Sequence, residues 1–231
     1  MSEPKFYISP LAHVEPGAII GEGSRIEGSA WIGSRAVIGA NCRIEHGATV
    51  GYGDWDNAES RTIVGNGCLI ATGAVLYHQV TLADGVKIRH NVVVREHVSI
   101  REGTSIGTGC NIEHHTRIGK LCSIHGHCHI TDFSVIEDYV FIGPSFASFS
   151  DIHLDYRRPQ LHRPYAGITI RSKARVGGRV TALPGSEIGE EAVIGAGSTV
   201  RGTLQGHMVY VGNPARAISR VPKEHHLSLF D

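Results

Sequence analysis

An aliphatic residue returns every six positions through most of this chain, and that period restricts the fold more than any other feature. The first run starts at Val14 and passes through Ile20, Ile26, Ile32, Ile38, Ile44 and Val50. The second runs without a break through Val64, Ile70, Leu76, Leu82, Ile88, Val94, Ile100, Ile106, Ile112, Ile118, Ile124, Ile130, Ile136 and Ile142. The third comprises Ile170, Val176, Ala182, Ile188, Ile194 and Val200. Aliphatics are roughly a quarter of ordinary residues, so an unbroken second run of this length is a structural demand. An α-helix would need a 3.6-residue period, which is absent from 14 to 200. A short fixed period means a solenoid, and a hexad period means a parallel β-helix.

Each unit reads aliphatic, small or Gly, two polar or Gly, small, any, as in IGEGSR at 20–25, IGANCR at 38–43 and IGTGCN at 106–111. The aliphatic residue points inward, and the small fifth residue fits near a corner. Gly in the second or fourth position suits a tight turn, since it accepts positive φ without penalty. Strands are therefore very short and separated by turns.

This repeat resembles that of the hexapeptide-repeat acyltransferases over nearly the whole chain. The resemblance implies an all-β fold, a left-handed parallel β-helix of triangular section with three hexads to each coil. Positions i and i+18 then stack about one strand spacing (~4.8 Å) from each other. The expected organisation is a β-helix over 1–203, interrupted by loops at 51–63 and 144–167, the second protruding. A C-terminal tail with a short helix follows over 204–231. The resemblance also implies a homotrimer with sites between prisms.

With a net charge of zero the chain has no basic nucleic-acid footprint. It has no apolar run long enough to cross a membrane. The opening MSEPKFYISP lacks a signal-peptide core. Cys42, Cys68, Cys110, Cys122 and Cys128 all take the fifth hexad position and read as small core residues. An odd cysteine count without a leader predicts a reduced, cytoplasmic protein.

The segment IGAGSTVRG at 194–202 and VGNPAR at 211–216 resemble the last coils of the same families, which lie beside coenzyme A. That likeness implies acetyl-CoA or another acyl-CoA as co-substrate. Gly195, Ala196, Gly197 and Ser198 would face the pantetheine arm. Ala196 and Pro214, at i and i+18, would line one groove. Arg201 and Arg216 would meet phosphates, where the guanidinium fork helps. The loop arginines Arg157, Arg158 and Arg163 would contact anionic groups of the acceptor.

With three hexads to each coil, His78, Glu96, His114 and Asp132 form one column. His114 would sit between two carboxylates able to orient it and raise its basicity. IEHHTRIG at 112–119 resembles the "EHD" stretch around the catalytic His of bacterial sugar-nucleotide N-acetyltransferases, with His115 in place of Asp. IHGHCHITDFSVIEDYVFIGPSFASFSD at 124–151 is similar to N-acetyltransferases acting on 3-amino sugar nucleotides, with Asp151 where the acceptor-side Asn would stand. His125 and His127 replace amides there. His153, in DIHLDYRR at 151–158, resembles the base of galactoside and maltose O-acetyltransferases.

Together these resemblances imply transfer of an acetyl group from coenzyme A to the amine of a nucleotide-linked sugar. An imidazole, with an intrinsic pKa near neutrality, suits removal of the amine proton. The candidate catalytic residues are His114 with Asp132 first, then His125 and Asp151, and His153 third. A backbone N–H at the Gly143 turn would hold the oxyanion. Glu96, His127, Arg157 and Arg158 are acceptor-binding candidates. An O-acetyltransferase is the alternative. A γ-carbonic-anhydrase-like zinc enzyme is the lesser one, because no two histidines stand five apart and no metal is expected.

Overall fold

In a computed structural model that describes residues 6–53 and 60–227, the chain winds into a triangular prism. Three parallel sheets form its faces, and nearly every strand is two residues long. The first face holds Tyr7–Ile8, Arg25–Ile26 and their successors, the second His13–Val14 and Trp31–Ile32, and the third Ile19–Ile20 and Ala36–Ile38. Strand residues occupy the sixth and first hexad positions. Each pairs with its equivalent three hexads on, as Lys87 does with Ser105 and Ile112 with Ile130. The prism is the left-handed β-helix that the hexad implied.

The first-position aliphatics fill the interior, with Ile26, Ile32, Ile70, Leu76, Ile112 and Ile130 each completely buried. The fifth position adds a cross-coil bond that composition alone does not disclose. Ser24 Oγ donates to Gly39 O at 2.7 Å, Thr104 Oγ1 to Gly119 O at 2.7 Å and Cys110 Sγ to His125 O at 3.0 Å. Each acceptor belongs to the next coil. The five cysteines are free and buried, and they behave as small residues with a weak donor.

Glycine serves the second and fourth positions for different reasons. The fourth is left-handed in coil after coil, with φ +64° at Gly67 and +69° at Gly109, and also at Asn41, His115, Leu121 and Tyr139. The second is not. A Cβ on Gly107 would lie 2.5 Å from the backbone of Gly126 and His125 in the next coil. Close approach of coils, rather than φ, excludes a side chain there.

Both insertions leave from the edge that follows the second face. Across the first, Ile44 pairs with Ile70 where an uninterrupted coil would bring Thr62, and the register is otherwise kept. Residues 54–59 of this insertion lie outside the described residues. Across the second, Ile142 pairs with Val176 where an uninterrupted coil would bring Gln160. The coil persists beyond 144: Phe146 is fully buried and Ser148 takes the aliphatic slot. The loop proper therefore begins at Phe149.

The prism also runs past 203. Thr203–Leu204 joins the third face and Met208–Val211 the first, but the last coil is two residues short, pairing Ile194 with Tyr210. The chain reverses through the cis Asn213–Pro214 bond into Arg216–Arg220, which pairs antiparallel with Met208–Val211. The helical part of the tail is one 3-10 turn, Lys223–His225. Among the described residues no helix is long and apolar enough to cross a membrane.

Two substitutions separate the two glycine roles. Gly67→Ala meets open space and costs about 1 kcal/mol for its left-handed φ. Gly107→Ala forces two coils apart and costs roughly 2–3 kcal/mol. Urea midpoints should fall in that order, and equal shifts would refute the close-approach account.

Candidate functional site

The second edge, where both insertions emerge, gathers the polar residues. His78, Glu96, His114 and Asp132 take its third hexad position in successive coils, because the second-face strands before them pair in register. His97, His115 and Phe133 take the fourth. Their rings stack along the edge, His97 on His115 at 4.5 Å and His115 on Phe133 at 5.2 Å between centroids. Desolvation, then the neighbouring His115 and His78, hold the His97 imidazole below its ordinary range.

His114 faces one of its two expected carboxylates. Its Nε2 lies 3.8 Å from Asp132 Oδ2, an ion-pair distance too long for a hydrogen bond. Its Nδ1 lies 2.9 Å from Nδ1 of His115, so one of these nitrogens carries the proton and the other accepts it. Asp132 is only 7% exposed, and its Oδ1 accepts from Thr131 Oγ1 at 2.8 Å. Ser148 in turn accepts the Thr131 N–H at 2.9 Å.

Glu96 is claimed by its sequence neighbour instead. Arg95 donates through Nε at 2.8 Å and Nη2 at 3.0 Å, and also reaches Glu113 at 3.5 Å. Burial pulls the Glu96 carboxyl upward, but the Arg95 bonds, its own backbone N–H and the Arg95 and His114 charges together hold it below the usual range. His114 therefore does not sit symmetrically between two carboxylates.

One coil further along the same edge opens a cavity of about 490 Å³. Phe149, Ile152, Leu154, Leu183 and Pro184 give it apolar walls, and Asp151 and Arg201 are its charged members. Asp151 caps the turn that starts the loop: Oδ1 accepts the N–H groups of His153 at 2.9 Å and Leu154 at 2.8 Å, and Oδ2 that of Asp155 at 3.1 Å. Asp155 pairs with His162 Nδ1 at 2.8 Å. His153, Arg157 and Arg158 are exposed on this loop. Arg157 lies over the Tyr156 ring, and Arg158 donates to Tyr156 O.

The expected coenzyme A residues divide between edges. Gly143, Gly195, Ala196 and Gly197 lie on the first edge, which follows the first face, together with the catalytic candidate His125 and the acceptor-binding candidate His127, whereas Arg201 is on the second. His125 packs its ring against Phe141 at 4.9 Å rather than near Asp151. The Gly143 N–H donates to Val176 O at 2.7 Å and is spent in the ladder, so it is not an oxyanion donor. The N–H groups left without an acceptor on that edge, among the described residues, include Gly178 and Ala196 in the third position. Ser198 is buried and accepts the Gly212 N–H at 3.0 Å. Ala196 and Pro214 do not stack, because the short last coil brings Gly212 beside Ala196. Arg216 is exposed on the reversing strand. Among the described residues no group of three or more His, Cys, Asp or Glu is placed to hold a metal ion.

Comparison with known proteins agrees with the repeat and the fold. Residues 61–96 match the family described as Bacterial transferase hexapeptide (six repeats). A Staphylococcus aureus (strain MRSA252) protein named "Putative acetyltransferase" is 44% identical over 57 residues, 25% of this chain and 29% of that protein. A Saccharomyces cerevisiae protein of the same description is 35% identical over 92 residues, 39% of this chain and 47% of its own length. The chain thus spans less than half of the curated relatives it matches. Among solved structures, an Arabidopsis UDP-N-acetylglucosamine acyltransferase superposes with a TM-score of 0.68 at 20% identity, covering 93% of this chain and 74% of that one. The Campylobacter jejuni UDP-N-acetylglucosamine acyltransferase gives 0.58 at 20% identity, over 92% and 74%. The chain therefore carries the hexapeptide repeat and shares the β-helix fold of these acyltransferases.

The Asp151 turn carries a pH signature. Burial opposes ionisation of its carboxyl, but three backbone N–H groups outweigh this and hold it below its ordinary range. A lowered carboxyl supports the folded turn above the ordinary value and loses that support as pH falls through the lowered one. Amide protection at His153–Asp155 should therefore persist at pH 6. It should decay only once pH falls below the ordinary 3.8. Asp151→Ala should remove it already at pH 6, as hydrogen exchange would show.

Proposed function

We propose that this chain transfers an acetyl group from acetyl-CoA to the amine of a nucleotide-linked amino sugar. The observation that carries the reading is His114 beside the nearly buried Asp132, with an apolar cavity lined also by Asp151 and Arg201 in the coil that follows Asp132 on the same edge. Asp132 is anchored by Thr131 and can stabilise an imidazolium formed at His114. His114 takes the amine proton as the nitrogen attacks the thioester carbonyl. The tetrahedral intermediate then collapses, and the protonated His114 gives its proton to the departing sulfur, which leaves as the coenzyme thiol. His115 must turn its ring for His114 Nδ1 to reach the acceptor, since their Nδ1 atoms are in contact.

The proposed assembly is a homotrimer in the cytoplasm. A trimer accounts for the division of the site: the second edge of one protomer supplies His114, Asp132 and the 149–167 loop, and the first edge of its neighbour supplies Gly195–Gly197. The narrow Gly–Ala–Gly turn admits a thin chain, and the Ala196 N–H is available to a pantetheine carbonyl. Arg157, Arg158 and Arg163, exposed on the loop, would meet the nucleotide phosphates.

The test is thiol release from acetyl-CoA with a panel of amino-sugar nucleotides and their hydroxyl counterparts. Turnover with the amines alone supports N-transfer, and turnover with the hydroxyl compounds alone replaces it with O-transfer. His114→Ala should lower kcat/KM by roughly 10²–10⁴, and Asp132→Asn should lower it less. Near-normal turnover in His114→Ala would remove His114 as the base. Absence of calorimetric coenzyme A binding would sink acyl transfer altogether.

A further inference from the structure

The His115 ring is held on both sides. His97 from the preceding coil stacks on it at 4.5 Å, and Phe133 from the next coil at 5.2 Å, each with 30° between the ring planes. His97, kept below its ordinary range, adds no charge to this stack near neutral pH. Turning the ring aside, so that His114 could meet an acceptor directly, would break both contacts. Left in place, the ring completes a row graded from core to solvent. Asp132 is buried, His114 is half-buried and His115 is exposed. An acceptor approaching from solvent meets the outer ring of that row first.

The proton positions along the row follow from the acceptors. Asp132 Oδ2 lies 3.8 Å from His114 Nε2, and a carboxylate favours an N–H over a lone pair turned toward it. With its proton on Nε2, His114 can only accept at Nδ1. The 2.9 Å contact is then donated by the Nδ1–H of His115. A neutral His115 is left with its lone pair on Nε2, which has no hydrogen-bond partner among the described residues. We propose that His115 is a further catalytic residue, a relay whose Nε2 takes the acceptor proton while its Nδ1 passes one to His114. This step rests on the acyl-transfer reading. As the amine nitrogen bonds to the thioester carbonyl carbon, its proton moves to His115 Nε2, and the proton of His115 Nδ1 moves to His114 Nδ1. His115 ends neutral in its other tautomer, and the imidazolium forms at His114 beside Asp132. On collapse both protons retrace their paths, and His115 Nε2 gives its proton to the departing sulfur.

The tautomers are read first, from long-range proton–nitrogen correlations of the full chain labelled with ¹⁵N-histidine at mildly alkaline pH. His115 is expected with its proton on Nδ1 and His114 with its proton on Nε2. His114→Ala removes the acceptor and should shift His115 toward its Nε2–H form. A native His115 protonated on Nε2 would overturn the relay. Turnover of acetyl-CoA with an amino-sugar nucleotide is read second. His115→Asn suits the left-handed φ of +57°, since Asn41 and Asn91 take the same hexad position. It should lower kcat by roughly 10²–10⁴ and leave the acceptor KM nearly unchanged. Because the two rings act as one unit, joining His114→Ala to His115→Asn should cost no more than the worse single change. Losses that multiply would overturn the relay. So would normal or faster turnover in His115→Asn, which would make the ring only an obstacle to His114. A native chain that transfers no acetyl group removes the acyl-transfer reading, and the tautomers then decide the relay by themselves.

Discussion

Contact between one coil and the next is the interaction on which everything else rests. A two-residue strand has no stability of its own, and no single coil encloses a core. The first-position aliphatics of adjacent coils stack, and the strand amides of each coil donate to the next, as Val93 N does to Cys110 O at 2.9 Å. Stability is then a sum over neighbours. The two ends of the prism differ accordingly. The reversing strand Arg216–Arg220 pairs with the last parallel strand and covers its edge. Among the described residues the first coil has no such cover, and Leu11 and Ile19 are exposed there.

The same ladder explains where chemistry can be placed. Chain can be added only at an edge, since an insertion within a strand would break the register on that face. Both insertions leave from the second edge, and every face regains its register beyond them. That edge also carries the polar columns. A rigid coil spacing holds His114 against Asp132, while the loop with Asp151 and the arginines arises one coil away. Scaffold and loop meet at one edge, the arrangement by which loops commonly carry function.

Much of this edge was legible from arithmetic. The column of His78, Glu96, His114 and Asp132 exists, and His114 does face Asp132. Column arithmetic missed Arg95, which sits immediately before Glu96 and captures its carboxylate. Stacking order says nothing about a competing neighbour within the same coil. The reading of the Gly143 turn as the oxyanion donor is narrowed on similar grounds: hexad position assigns a turn, but hydrogen-bond accounting shows the N–H of Gly143 itself already committed to Val176. The pairing of Ala196 with Pro214 failed because the shortened last coil changes the stacking partner, and nothing in the local motif signals it.

The hexad alone determined the solenoid, the inward residues, the position of the turns and the coils from which the insertions depart, because a repeated interior contact requires a repeated side chain. Only the tertiary structure decided which polar groups on an edge find one another, which amides remain free, and how the tail closes the prism. Those outcomes depend on distances between side chains of different coils, and on where the final coil is short. Periodicity sets the spacing of coils but leaves those side-chain choices open.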